Sequence, residues 1–410
     1  MVIYESVLGY DRLQTLKGGF PLAYTINTPE GTRDRLFAEC RERRQVQRDL
    51  TALFQRRGYA EVSTPEVEFY DLFLQSGNPM PQESMLKIID RSGKIMVMRP
   101  DCTTPIARVA ATKLKALPLP QRLCYDQTVF RSGQAHRGGS SEIAQCGVEL
   151  IGAAGWKADL EMVALAVDAL GACGVKDYHV ELGHVGFFRD LASRVDMPAP
   201  VIEQMRALIE GKNFAALNDL LEPYAGQGAC KALKRLSRLF GGAEVLDEAE
   251  DLAGGSAALV YLRQLYAALC KAGYGDHIRF DLGMVHQIDY YTGLVFRGYV
   301  EGAGDAVLSG GRYDKLVEAF GREAPATGFA VDVDAVAGCR PEEPAAALET
   351  LIHYGPDDLA QALAAVDAAA PATVELSPRA DLEETMALAR EKGARAVLVL
   401  EKGSERRVAL

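Results

Sequence analysis

Residues 143–151, Ile-Ala-Gln-Cys-Gly-Val-Glu-Leu-Ile, constrain this chain more than any other stretch. As a strand, they put Ala144, Cys146, Val148 and Leu150 on one wholly apolar face. Ile143, Gln145, Gly147, Glu149 and Ile151 share the other. The apolar face demands a core layer. The flanking isoleucines argue for cover on the second face too, where Gly147 leaves open space beside an amide and a carboxylate. On spacing alone that face reads either as a solvated strand surface or as a pocket wall. Residues 123–131 form a partner run, and the polar, glycine-rich loop SGQAHRGGSSE makes the pair a long-looped antiparallel hairpin.

A chain of 410 residues is long enough for roughly two or three domains. Its 48 % apolar and 25 % charged content is that of a globular protein with a large core. The start, MVIYESVLGYDRL, lacks the basic and apolar regions of a signal peptide, and no apolar run approaches the roughly 18 residues of a membrane span. Eight cysteines without a C-x-x-C pair read as reduced, mostly buried thiols, which implies a cytoplasmic protein with no membrane partner. The net charge of −11 argues against a broad nucleic-acid-binding surface.

Other segments carry weaker signals. From Asp34 an amphipathic helix runs to Gly58, which takes the C′ place, and a short strand follows at 59–62. A strand at 94–98 enters Arg99-Pro100-Asp101-Cys102-Thr103-Thr104-Pro105. Asp101 and Thr103 suit the start of a helix, so capping competes with a ligand role. Residues 186 to about 260 are Leu/Ala-rich and read as an all-helical insertion. Tyr290 and Tyr291 open a β-rich run to Val300; they are ordinary strand aromatics, one in and one out, or pocket walls. Gly302-Ala303-Gly304 marks a hairpin, residues 305–309 form its second strand, and Gly310-Gly311 breaks that strand before a short helical pattern at 313–320. The boundaries expected are a core over 1–340 and, after a linker, a small α/β domain over 341–410. His136, His179, His184, His277 and His353 read as ordinary surface or core histidines, and no metal site is expected.

Three separated segments resemble histidyl-tRNA synthetases, of the class II aminoacyl-tRNA synthetase family. Arg99-Pro100-Asp101-Cys102-Thr103 stands where that family has R-P-E-G-T, with Asp for Glu. Phe130-Arg131 and Gln145-Cys146-Gly147-Val148-Glu149 match motif 2. Ile288-Asp289-Tyr290-Tyr291 and Gly310-Gly311-Arg312-Tyr313-Asp314 match the histidine-specific signature. The resemblance implies an α+β fold: a class II antiparallel sheet flanked by helices, a helical insertion, and a C-terminal unit similar to a shortened anticodon-binding domain. It also implies a histidine-binding set of Asp101, Thr103, Arg131, Gln145, Glu149, His286, Tyr290 and Tyr291. Asp101, Thr103 and Gln145 would meet the backbone end of the ligand; Glu149 and Tyr291 would meet its imidazole.

Departures from the family pattern fall on the adenylating groups. Gly133 replaces the adenine-holding glutamate, His286 an activating arginine, and Ala335 the ATP-binding arginine of motif 3. Asp332 and Asp334 would repel a triphosphate further. Residues 349–410 carry seven Lys/Arg against eleven Asp/Glu, a net of −4, the wrong sign for gripping tRNA. Such a chain resembles the regulatory subunits of ATP phosphoribosyltransferase. That resemblance implies a non-catalytic protein without a cofactor, a self-dimer, and a hetero-oligomer, of octamer form, with a short-form catalytic subunit. Histidine would be its effector. A divergent histidyl-tRNA synthetase, a free-standing histidine sensor and an adenylating paralogue acting on another amine remain the alternatives.

Overall fold

A computed structural model describes residues 27–75, 81–132, 140–285, 290–341 and 347–410. The expectations for the leader before residue 27 and for Gly133, His136 and His286 lie outside the described residues, as does the Ile288-Asp289 pair. The chain divides after Arg340 into two compact units.

The strands of the first unit are β1 (Ala60–Glu61), β2 (Val67–Phe69), β3 (Lys87–Ile89), β4 (Ile95–Met98), β5 (Gln121–Phe130) and β6 (Glu142–Ile151). They continue as β7 (Tyr178–His184), β8 (Phe240–Gly241), β9 (Ile278–Asp281), β10 (Leu294–Val300), β11 (Leu308–Arg312) and β12 (Ala326–Asp332). Among the described residues, nine of them form one sheet in the order β1-β5-β6-β12-β11-β10-β7-β9-β8. The six from β5 to β7 pair antiparallel throughout, while β1 and β9 join parallel, so the sheet is mixed at both margins. A separate small sheet has the order β2-β4-β3.

Both faces of β6 are covered. Ala144, Cys146, Val148 and Leu150 enter the main core together with the Phe37–Arg56 and Trp156–Ala172 helices. Ile143 and Ile151 enter a second core with Tyr125, Ile106 and Tyr313. The solvated-face reading of β6 therefore fails. Gly58, at φ +83°, follows the Phe37–Arg56 helix in a backbone conformation that glycine adopts without penalty.

Several local expectations are corrected. Gly310 and Gly311 lie inside β11 instead of ending a strand. A Cβ on Gly310 would come within 2.5 Å of Phe329 Cβ, and one on Gly311 within 2.7 Å of the Tyr291 ring and of Leu294 O. These glycines serve close approach, not turning. The pattern at 313–320 yields only a 3₁₀ turn, Glu318–Phe320. The insertion is not wholly helical, because Phe240–Gly241 pairs with β9, and residue 260 is no boundary, since the Ala257–Lys271 helix runs through it. Its buried leucines, among them Leu217, Leu233 and Leu246, belong to the main core.

Arg312 anchors this arrangement from β11. Its Nε and Nη2 donate to Asp159 Oδ1 at 2.9 and 2.7 Å, and both side chains are nearly fully buried. The remaining Arg312 donors meet Ala153 O, Gly155 O and Asp314, and Tyr261 OH donates to Asp159. A fully satisfied buried pair of this kind ties a strand to a helix in one register.

The second unit contains β13 (Leu348–Tyr354), β14 (Thr373–Leu376), β15 (Ala396–Glu401) and β16 (Ser404–Ala409) in the order β14-β13-β15-β16. The Leu359–Ala368 and Leu382–Glu391 helices make the parallel crossovers. Nothing in the local sequence pattern marks strand β16. It is polar and mostly exposed, and it follows β15 through Lys402 and Gly403, both at positive φ.

Arg312→Met should lower unfolding stability by about 3–5 kcal/mol, because it strands the buried Asp159 carboxylate. Adding Asp159→Asn should recover part of the loss. Chemical denaturation of the three proteins checks this, and a negligible loss in Arg312→Met would remove the pair as an anchor.

Candidate functional site

One face of the central sheet forms the floor of a cavity of about 380 Å³. In register across β6, β12, β11 and β10 lie Glu149, Gly328, Gly311 and Val295. The next row, from β5 to β10, is Tyr125, Gly147, Ala330, Ser309 and Arg297. Strand pleating puts both rows on the same side. A Cβ on Gly328 would overlap Glu149 Oε2, and one on Gly147 would overlap the Tyr125 hydroxyl. The glycines let long side chains lie flat on bare backbone, and that flatness opens the cavity above them.

The walls come from elsewhere. The loop after β4 and the start of the Thr103–Ala111 helix supply Asp101, Cys102 and Thr103. Asp101 Oδ1 accepts from Thr104 N at 2.8 Å, so Asp101 does cap the helix while also facing the cavity. Arg131 enters from the end of β5, with its Nε donating to Pro100 O at 2.9 Å. Tyr290 and Tyr291 precede β10 and both line the cavity, so the one-in, one-out reading fails. Tyr290 stacks on Tyr313 at 5.5 Å between ring centroids and meets Tyr291 edge-on at 5.0 Å.

Seven of the eight residues singled out from the sequence border this one cavity: Asp101, Thr103, Arg131, Gln145, Glu149, Tyr290 and Tyr291. His286 lies outside the described residues. Tyr125, Arg297, Ser309 and Tyr313 also line it and were missed as site residues. A pairing register would have found Tyr125, which stands opposite Gly147, but that register is not readable from separate strands. Asp334, expected to repel phosphates, is instead paired with Arg35 at 2.9 Å. Asp332 caps the Val333–Ala337 helix by accepting from Ala335 N at 3.0 Å. Only the Asp332 carboxyl is left to act as that expectation supposed.

Burial dominates the electrostatics. It pushes the Glu149 carboxyl up to about 8, against the hydrogen bonds from Tyr313 and Thr103 and with help from the nearby Asp101 charge. Asp101 is likewise raised by burial, offset by Thr104 and Arg131. The phenols of Tyr125, Tyr290, Tyr291 and Tyr313 are all raised by burial and so remain protonated donors. Two desolvated carboxyls side by side favour a cationic or proton-sharing ligand group between them. Among the described residues, no cluster of His, Cys, Asp or Glu is arranged to hold a metal, and no helix is long and apolar enough to cross a membrane.

Comparison with known proteins agrees with this geometry. Residues 31–336 match the family model described as histidyl-tRNA synthetase. An ATP phosphoribosyltransferase regulatory subunit of Clostridium kluyveri is 42 % identical over 75 % of this chain and 80 % of its own. One from Bacillus cereus is 37 % identical over 82 % of this chain and 81 % of its own. A crystal structure of an ATP phosphoribosyltransferase regulatory subunit/histidyl-tRNA synthetase from Bacillus halodurans superposes with a TM-score of 0.83. It is 29 % identical and covers 92 % of this chain and 98 % of that one.

The raised Glu149 carboxyl makes stability depend on pH with a definite sign. Folded Glu149 holds its proton up to about pH 8, whereas an unfolded glutamate releases it near 4.5. Between those values the folded state binds more protons, so stability falls as pH rises. Glu149→Gln should flatten that decline across pH 5–8. Thermal melts of both proteins over this range check it; parallel slopes would exclude Glu149 as the source.

Proposed function

Since this chain belongs to the ATP phosphoribosyltransferase regulatory subunits, a family built on the histidyl-tRNA synthetase core, we propose that it conveys histidine feedback to a short-form catalytic transferase subunit. The observation that carries this reading is the single cavity that gathers Asp101, Thr103, Gln145, Glu149 and Tyr291. Buried carboxyls suit the ammonium and imidazole of histidine, and a carboxyl near neutrality in its titration can share a proton with a ring nitrogen. The chain assembles with the catalytic subunit as a hetero-oligomer, a hetero-octamer in its complete form, and self-associates through its synthetase-like core. It works in the cytoplasm, without tRNA.

Adenylation is not part of this function. Activating an amino acid builds negative charge on phosphate and carboxylate oxygens, and each missing fixed cation there lowers the rate by roughly 10²–10³. Ala335 brings only a methyl group to the motif 3 position, and His286 replaces the other arginine. Neither adenine nor triphosphate has its usual partners.

Feedback requires histidine to bind the less active assembly more tightly than the active one, with a coupling of roughly 1–3 kcal/mol. A ligand of equal affinity for both states would shift nothing.

The purified chain should show no histidine-dependent exchange of pyrophosphate into ATP; robust exchange would restore the synthetase reading. In transferase assays with the catalytic subunit, Glu149→Gln or Tyr291→Phe should raise the histidine needed for half-inhibition roughly tenfold. Basal activity should hold. Unchanged inhibition in both variants would place the effector elsewhere. Calorimetric affinity for histidine should also weaken above about pH 8 by up to tenfold per unit, because ionised Glu149 and neutral imidazole then lack a shared proton. A pH-independent affinity would exclude the shared proton.

A further inference from the structure

At the β10 side of the floor, on the same sheet face as Glu149, the lining includes Arg297 and Ser309, which face each other across β10 and β11. Arg297 hydrogen-bonds Tyr299, and its positive charge lowers the raised pKa of the Tyr291 phenol. Its field therefore reaches the ring that lies over Gly311. Arg131, the other arginine of the lining, already donates its Nε to a backbone carbonyl. Arg312 points to the opposite face and is consumed by Asp159.

We propose that Arg297 receives the carboxylate of the amino acid held in this cavity. This rests on reading the cavity as a histidine site, and it adds a residue that the resemblance did not assign. The register supplies the scale. The Glu149 carboxyl lies over Gly328, and Arg297 is two strands over and two residues along from there. With strands about 4.8 Å apart and a rise of about 3.3 Å per residue, that is roughly 12 Å between backbone positions. An arginine side chain is long enough to cover much of such a span, and the remainder is the length of one free amino acid. The site is then polar end to end: imidazole at Glu149, ammonium at Asp101, carboxylate at Arg297. A guanidinium fork matches a carboxylate with two parallel hydrogen bonds and stays charged at every working pH. A neutral imidazole, by contrast, offers one donor.

The test compares histidine with histamine, which keeps the imidazole and the amine but lacks the carboxylate. Calorimetry on the full chain should show histamine binding at least tenfold more weakly than histidine. Arg297→Met should weaken histidine by roughly tenfold to hundredfold and leave histamine nearly unchanged, so that the preference disappears. Arg297→Lys should restore part of the preference, since it returns the charge without the fork. Circular dichroism melts establish that each variant is folded. If Arg297→Met keeps the wild-type preference while Glu149→Gln weakens both ligands, the carboxylate assignment is wrong and the histidine site stands. If the wild-type chain binds neither compound, the histidine reading fails and this assignment fails with it.

Discussion

A carboxyl lying on bare backbone is the constraint on which the site depends. Glu149 rests over Gly328, the Tyr125 hydroxyl over Gly147, and the Tyr291 ring over Gly311. Those glycines occupy three adjacent strands in two neighbouring rows. A side chain at any of them would lift its neighbour off the sheet and fill the space a ligand needs. Glycine weakens a strand, so this floor needs support from its other face. There Phe296, Phe329, Val148 and Leu150 pack in the main core, and Arg312 pins β11 to the helix beneath.

The same burial that shapes the floor governs its charge. Glu149 and Asp101 are both shielded from water, so each prefers to be neutral when no cation is near. An arriving ammonium or imidazole changes that balance by supplying the missing positive charge or a shared proton. Binding of such a group and the protonation of these carboxyls would therefore be coupled.

Two arginines of the same hairpin illustrate how position decides which face of a sheet a side chain serves. Arg312 faces the helix layer, where five donors are satisfied by Asp159, Asp314 and two carbonyls. Arg297, on the opposite face of the neighbouring strand, lines the cavity. Pleating alone separates them. Strand periodicity turns an odd or even position into a choice between the helix layer and the cavity.

Much was readable from local pattern. The hairpin of β5 and β6, the apolar core face of β6, the capping option at Asp101 and the alternating strands and helices after residue 347 all follow from short-range periodicity and capping chemistry. Those signals lie within about ten residues, and the backbone expresses them wherever the chain goes. Seven of the eight residues named for the pocket also meet around one cavity, since three separate motifs carried them. What tertiary structure decided was register. Gly310 and Gly311 look like a break until β12 and β10 are seen pressed against them, and nothing in the local pattern sets Arg297 opposite Ser309. The polar strand β16 was invisible because its membership depends on hydrogen bonds to β15, not on its own side chains. Cross-strand neighbours are set by contacts between distant segments, and no single strand records which residue it will face.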